Sequence, residues 1–270
     1  MGILISALAG AVCVVISFVV VLLLGSVSGA VGERRSAATV ILALVLWLAA
    51  RQSIVPDLYS RYEVSRIEPE LLAIPAYAAM KQYAPDSYNK ILADLKAGIG
   101  KGTPKAELVN KVSAEVSSLA LKSLKKAGDR EAVAYLRTTV QEMKELRARG
   151  GGLCHQFLFP PAGTHFDPTP YITQETRNAD LRGLAELIKS ASTAPQPVPT
   201  QAEVQDNLVA VMQTVAFKFG DQVIPVIQNP SAPGWDKEQV CDVMIGVYDQ
   251  IFTLPDHESG KLVRFMMASI

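Results

Sequence analysis

The residues best equipped for chemistry lie between Gly151 and Ile172, a stretch that carries Cys154, His155, His165 and Asp167. A thiol beside an imidazole suggests a nucleophile. The fold must align such a pair, however, and sequence neighbours rarely align as nucleophile and base. No local signature of a cysteine hydrolase surrounds Cys154. His165, Asp167 and the distant His257 are metal-ligating residue types, yet the chain has no H-x-x-x-H spacing to bring two imidazoles onto one helix face. An envelope enzyme using Cys154/His155 or a His165/His257 site is one alternative expectation. No catalytic, cofactor-binding or metal-binding residue is assigned, and binding is expected rather than catalysis.

The same stretch holds Phe157, Phe159, Phe166 and Tyr171, stiffened by Pro160, Pro161, Pro168 and Pro170. A structureless loop longer than about 12–15 residues is uncommon in a compact domain and is often functional. Its aromatics either plug a helical core or anchor a partner, because rigid rings lose little entropy on binding. Phe157, Phe159, His165, Phe166 and Tyr171 are therefore the candidate partner-binding residues. The glycine-rich run Gly98 to Gly102 follows a helical pattern rather than a strand. It lacks both phosphate-loop and dinucleotide spacing.

The elements that position this segment are helical. Pro75 should restart a helix that begins near Glu68, and Pro85-Asp86-Ser87 opens the next. Thr103-Pro104 reads as a hydroxyl cap with proline at the first helical position. Leu108, Val112, Val116 and Leu119 then form one stripe, and Val133, Leu136, Val140 and Met143 a second. Thr173 is expected to cap a helix through Ile188. Thr200 with Glu203, and Asp236 with Gln239, have the spacing of capping boxes. A last short helix is expected from Ser259 to Ala268. Residues 194–199, Ala-Pro-Gln-Pro-Val-Pro, form a stiff connector. Strand-like alternation is almost absent. Residues 56–270 are read as one soluble all-α domain of about seven helices.

Ahead of this body stand two apolar runs. Ile3 to Gly25 contains no charged side chain, and roughly 18 such residues suffice to read as a membrane span. It lacks the basic flank of a signal peptide and is longer than the usual apolar core, although Ser28-Gly29-Ala30 has the small residues of a cleavage site. Ala37 to Ala50 is weaker, about 21 Å of helix. It reaches spanning length if Arg51 lies at the interface and the helix continues to Val55. Residues 1–55 are thus expected to be an anchor, with spans at about 3–25 and 36–55. Arg34 and Arg35 lie in the intervening loop. Positive charge resists translocation, which puts that loop in the cytoplasm and residues 56–270 outside it. The tight hairpin and the lack of glycosylation sequons suit a bacterial inner membrane, with the body in the periplasm.

The chain has 26 basic and 26 acidic side chains. So even a balance offers no general attraction to phosphate backbones, and no nucleic-acid partner is expected. Cys13 falls in the first apolar run. The remaining cysteines, Cys154 and Cys241, are expected to form a disulfide in an oxidising compartment. The favoured expectation is a membrane-anchored periplasmic helical domain that binds another envelope or membrane protein, as an assembly factor, inhibitor or accessory subunit. Residues 3–55 would contact the lipid bilayer. The second alternative is a small-ligand sensor or carrier, which would need a cavity lined by a few convergent polar groups.

Overall fold

The computed structural model describes residues 62–161, 164–220 and 222–269. These fall into two compact units. One takes in residues 62–67 and Lys96–Gly102, the other Glu68–Leu95 and Thr103–Ile270. Both expected membrane spans, 3–25 and 36–55, lie outside the described residues. Among the described residues, no helix is long and apolar enough to cross a membrane.

The described chain is all-helical, as its periodicity predicts. Residues 62–72 are helical, and ten helices follow: α1 (Pro75–Tyr83), α2 (Pro85–Gly100), α3 (Lys105–Leu124), α4 (Asp129–Arg149), α5 (Leu153–Leu158), α6 (Gln174–Thr193), α7 (Gln201–Phe219), α8 (Val223–Gln228), α9 (Lys237–Ile251) and α10 (Asp256–Ala268). The expectation of about seven was low. The single-turn helices α5 and α8 are too short to show a periodic stripe, and each was hidden inside what reads as a loop. Within the smaller unit, Arg66 lies over the ring of Tyr62 at 5.8 Å. Gly102, at φ +68°, follows the last turn of α2.

Local chemistry sets most boundaries. Pro75 occupies the first turn of α1, with Ile74 as its extended N-cap. The Thr173 hydroxyl accepts from the Thr176 amide at the start of α6. Thr200 and Glu203 form the expected capping box. Asp236 caps α9 by accepting from the Gln239 amide at 2.8 Å, but the Gln239 side chain turns to Gln222 instead of closing the box. Thr103 does not cap α3: Pro104 takes that position without a side-chain hydrogen bond. The last helix starts at Asp256 rather than Ser259, because Pro255 already provides the extended residue before it.

In the larger unit, α4 is the helix around which the others gather, with α5, α6, α9 and α10 against it. Its residues Val133, Leu136, Val140, Met143 and Leu146 are all buried. α6 also packs on α1 and α3, and α7 on α9 and α10. Gly246 lets α9 approach Phe219 of α7, because a Cβ there would run into the ring.

Both ends of α4 are clamped. At its C-terminal end, Arg147 donates from Nε and Nη2 to the two oxygens of Asp242 on α9, each at 2.8 Å. One residue to the N-terminal side, Cys241 is bonded to Cys154 of α5, with Cα atoms 6.0 Å apart and both side chains fully buried. At the N-terminal end, Arg264 of α10 is 4% exposed. It donates to the Asp129 carboxylate and, at 3.4 Å, to the Ala127 carbonyl. His257 Nδ1 meets the other Asp129 oxygen at 2.6 Å. Gly260 makes this possible, since any Cβ there would overlap the Asp129 backbone and side chain.

Two stability predictions follow from these clamps. The disulfide closes a sequence separation of 87, so its reduction should lower unfolding free energy by up to about 4–5 kcal/mol in the chain-entropy model. Urea titration with and without reductant would measure this, and coincident curves would refute it. Removing one partner of a buried pair leaves an uncompensated charge, so Asp129→Ala should cost about 3–5 kcal/mol. The double variant Asp129→Ala/Arg264→Met should recover much of that loss in the same assay. Additive losses would show that the pair is not coupled.

Candidate ligand cavity

One cavity of about 340 Å³ opens in the larger unit, between α3, α4, α6 and the segment 165–169. Helical spacing accounts for its walls. Tyr135, Thr139 and Glu142 recur at four and three residues along α4 and so share one face. Val112, Ser113, Val116, Ser117 and Ala120 do the same on α3. Asp180, Leu181 and Leu184 line it from α6. Tyr77 of α1, Phe157 of α5, and His165, Asp167, Pro168 and Thr169 complete the lining.

The 165–169 wall is held in place by hydrogen bonds at its C-terminal side. Asp167 accepts from the Thr169 amide at 2.9 Å, and Arg177 donates to the Thr169 carbonyl at 2.6 Å. Glu145 on α4 accepts from the Thr173 amide and from the Thr176 hydroxyl, at 2.6 and 2.5 Å. Burial pulls the Glu145 carboxyl up, but the bonds from Thr176, Thr173 and Gln141 outweigh it and leave the group below its ordinary range. Glu145 is therefore a structural carboxylate.

Glu142, one turn earlier, is different. It is 5% exposed, and no hydrogen bond reaches its carboxyl among the described residues. Burial, then the nearby charges of Asp180 and Glu145, push it up to about 9. Burial alone pushes Asp180 up to about 6. Burial, followed by Asp180 and Glu142, drives the Tyr135 phenol far above its usual range. His165 is lowered by burial, against the pull of Asp167. Near neutral pH the cavity thus holds a protonated Glu142, an Asp180 carboxylate, a phenol and a neutral imidazole. No lysine or arginine lines it.

The sequence-predicted residues are distributed among several roles. Cys154 is buried and bonded to Cys241, as expected, so it presents no thiolate. His155 faces the Pro230 carbonyl at 3.4 Å and the ring of Phe159 at 5.4 Å. His257 pairs with Asp129, which lies 13 residues from Glu142 along α4, about 20 Å of helix. His165 lines the cavity beside Glu142, so the structure does not bring the two histidines together. Among the described residues, no three His, Cys, Asp or Glu side chains are placed to hold a metal ion. Phe157, Phe159, Phe166 and Tyr171 all pack against the core, with Phe166 and Tyr171 stacked at 5.8 Å.

Glu142, Asp180 and Tyr135 escaped sequence reasoning. On α4 the polar row Tyr135, Thr139, Glu142 merely flanks the apolar stripe, and such a flank reads as solvated. Only the arrival of α6 and the 165–169 segment encloses it. Searches against protein-family models, curated proteins and solved structures return no match for this chain.

The buried carboxyls give stability a definite pH dependence. Below the ordinary glutamate value of 4.5, Glu142 is protonated in both folded and unfolded chains. Between 4.5 and about 9 the unfolded chain ionises while the folded one keeps its proton. The folded state then binds more protons, so stability falls as pH rises, by at most about 1.4 kcal/mol per pH unit from this group, and levels off above that window. Asp180 adds a similar fall between 3.8 and about 6. Glu142→Gln should therefore gain on the wild type as pH rises from about 5 to about 9. Urea midpoints across that range would test it, and a constant difference would show that Glu142 titrates normally.

Proposed function

We propose that the helical body is a small-ligand receptor or carrier, tethered to a membrane by the apolar runs at 3–25 and 36–55 and standing on the non-cytoplasmic side. The observation that carries this reading is the cavity itself. Its volume of about 340 Å³ lies within the roughly 300–1,000 Å³ common for small-molecule sites. Its apolar walls surround a few convergent polar groups, the pattern such sites share. A buried carboxyl with no hydrogen-bond partner among the described residues has no structural use here, and perturbed titratable groups in a cleft are a mark of functional sites. The Cys154–Cys241 bond supports placement in an oxidising compartment.

This reading is set ahead of docking of a protein partner through the 157–171 loop, because the rings of Phe159, Phe166 and Tyr171 are partly buried against the core and Phe157 lines the cavity. The test is a thermal-shift screen of a chemically mixed fragment set on the full chain in detergent. Some fragments should raise the melting temperature of the wild type and fail to do so in Ser113→Trp, which fills the cavity from α3. A screen without hits, or hits that persist in Ser113→Trp, would overturn the reading.

A further inference from the structure

We infer that the cavity takes a small organic cation, a protonated amine carried on an apolar body, with Glu142 and Asp180 as its counter-charges. This rests on the receptor reading above and names the ligand class for that site.

Four observations lead there. The first is the sign of the charges around the carboxyls. From α4 come Tyr135, Glu142 and, on the adjoining turn, Glu145. From α6 comes Asp180, from α1 Tyr77, and from the facing segment His165 and Asp167. α3 contributes only the hydroxyls of Ser113 and Ser117 and apolar side chains. Arg177 of α6 donates to the carbonyl of the lining Thr169 but is not itself in the lining, so every lining group that can carry charge is acidic, apart from a histidine that its own burial keeps neutral. An anionic ligand would meet no counter-charge, whereas a cation would meet two carboxyls.

Second, Glu142 is nineteen-twentieths buried, lines the cavity, and accepts no hydrogen bond among the described residues. A structural carboxylate in this fold looks like Glu145, saturated by threonine donors, or Asp129, paired with Arg264. Glu142 instead leaves its acceptors turned to the cavity. An ammonium supplies up to three N–H donors, and charge-assisted bonds of this type are the stronger ones.

Third, a bare metal ion does not fit. No three ligating side chains converge among the described residues, and hard divalent cations want six or more oxygens. Fourth, the remaining wall suits an organic body. Tyr77, Tyr135 and Phe157 offer aromatic faces, which attract cations, and Leu181, Leu184 and Val116 offer apolar surface.

The proton balance is simple. Free Glu142 is protonated near neutral pH. An ammonium arriving beside it favours the carboxylate, so the proton leaves to solvent and the ligand keeps its own. Binding should therefore release up to one proton per ligand.

The experiment uses isothermal calorimetry on the full chain in detergent near pH 7, in phosphate and in HEPES. Three probes of one shape are compared: phenethylamine, the neutral 2-phenylethanol and the anionic phenylacetate. Phenethylamine should bind at least tenfold more tightly than either of the others, with a buffer-dependent heat that reports proton release. In Glu142→Gln that release should vanish, and in Asp180→Asn the preference for the amine should fall about tenfold or more. Both substitutions keep side-chain shape, and Glu142→Gln is expected to stabilise the fold, so a loss of signal is not a loss of folding. Equal or tighter binding of the alcohol or phenylacetate would overturn the cation assignment and leave the cavity as a ligand site. Binding of none of the three, in a protein whose fragment hits are abolished by Ser113→Trp, would also reject the cation while sparing the receptor. Absence of both kinds of binding would reject the receptor as well.

Discussion

Helix α4 has to satisfy two environments at once, and the arrangement of the larger unit follows from that constraint. One arc of it, Val133, Leu136, Val140 and Met143, is buried in the apolar core. The neighbouring arc is polar and lines the cavity, with Glu142 buried and Tyr135 and Thr139 partly buried. A helix that buries only an apolar stripe needs a partner on one side. This one is packed by α6 as well as by α9 and α10. The second side cannot close as tightly as the first, because an oxygen-bearing wall does not interdigitate as an apolar one does. A cavity is the result.

What keeps α4 from shifting to close that gap is the pair of clamps at its ends. Asp129 is fixed by Arg264 and His257. Arg147 is fixed in a two-point bond to Asp242, one residue from the disulfide-bonded Cys241. Buried ion pairs contribute little net stability over apolar contacts, because desolvation offsets most of their attraction. The Asp129 end does specify position strongly, since a small slide of α4 would strand the buried Arg264 guanidinium; at the other end Arg147 and Asp242 keep contact with solvent, and the neighbouring disulfide does more of the fixing. Gly260 serves the same end by letting α10 approach the Asp129 backbone.

The enclosed carboxyls are a standing cost. Folding holds Glu142 protonated and raises Asp180, so each lowers stability at neutral pH relative to an amide of the same shape. Local conflicts of this kind concentrate at functional sites, where the rest of the structure offsets them. Glu145 provides the internal comparison. It belongs to the same helix, one turn on, yet threonine donors hold it ionised. The difference between the two lies in burial and hydrogen bonding rather than in residue type: Glu142 is buried without a donor among the described residues, while Glu145 is only partly buried and held by threonine donors.

The helices themselves were legible without a structure, because their causes are local. Apolar residues spaced at three and four, Pro75 at a restart, and the caps at Thr173, Thr200 and Asp236 act within a turn or two of chain. The pairing of Cys154 with Cys241 was legible too, by elimination, once Cys13 fell within an apolar run. Single-turn α5 and α8 were not, since six residues are too few to establish a period. Thr103 misled because a cap also needs its side chain to reach an amide, which Pro104 prevents by taking the position itself. The aromatics of the 157–171 loop showed a rigid apolar segment but not which way it faced. The cavity was out of reach. Glu142 and Tyr135 belong to one helix and Asp180, 38 residues beyond Glu142, to another, and each looks like a solvated flank on its own. Their burial, and with it their protonation, depends on the packing of α6 and the 165–169 segment against α4. Sequence alone therefore determined the helices and the covalent staple, whose physics is short-range or pairwise. Tertiary structure alone decided the electrostatics of the site, because desolvation is set by everything that surrounds a group.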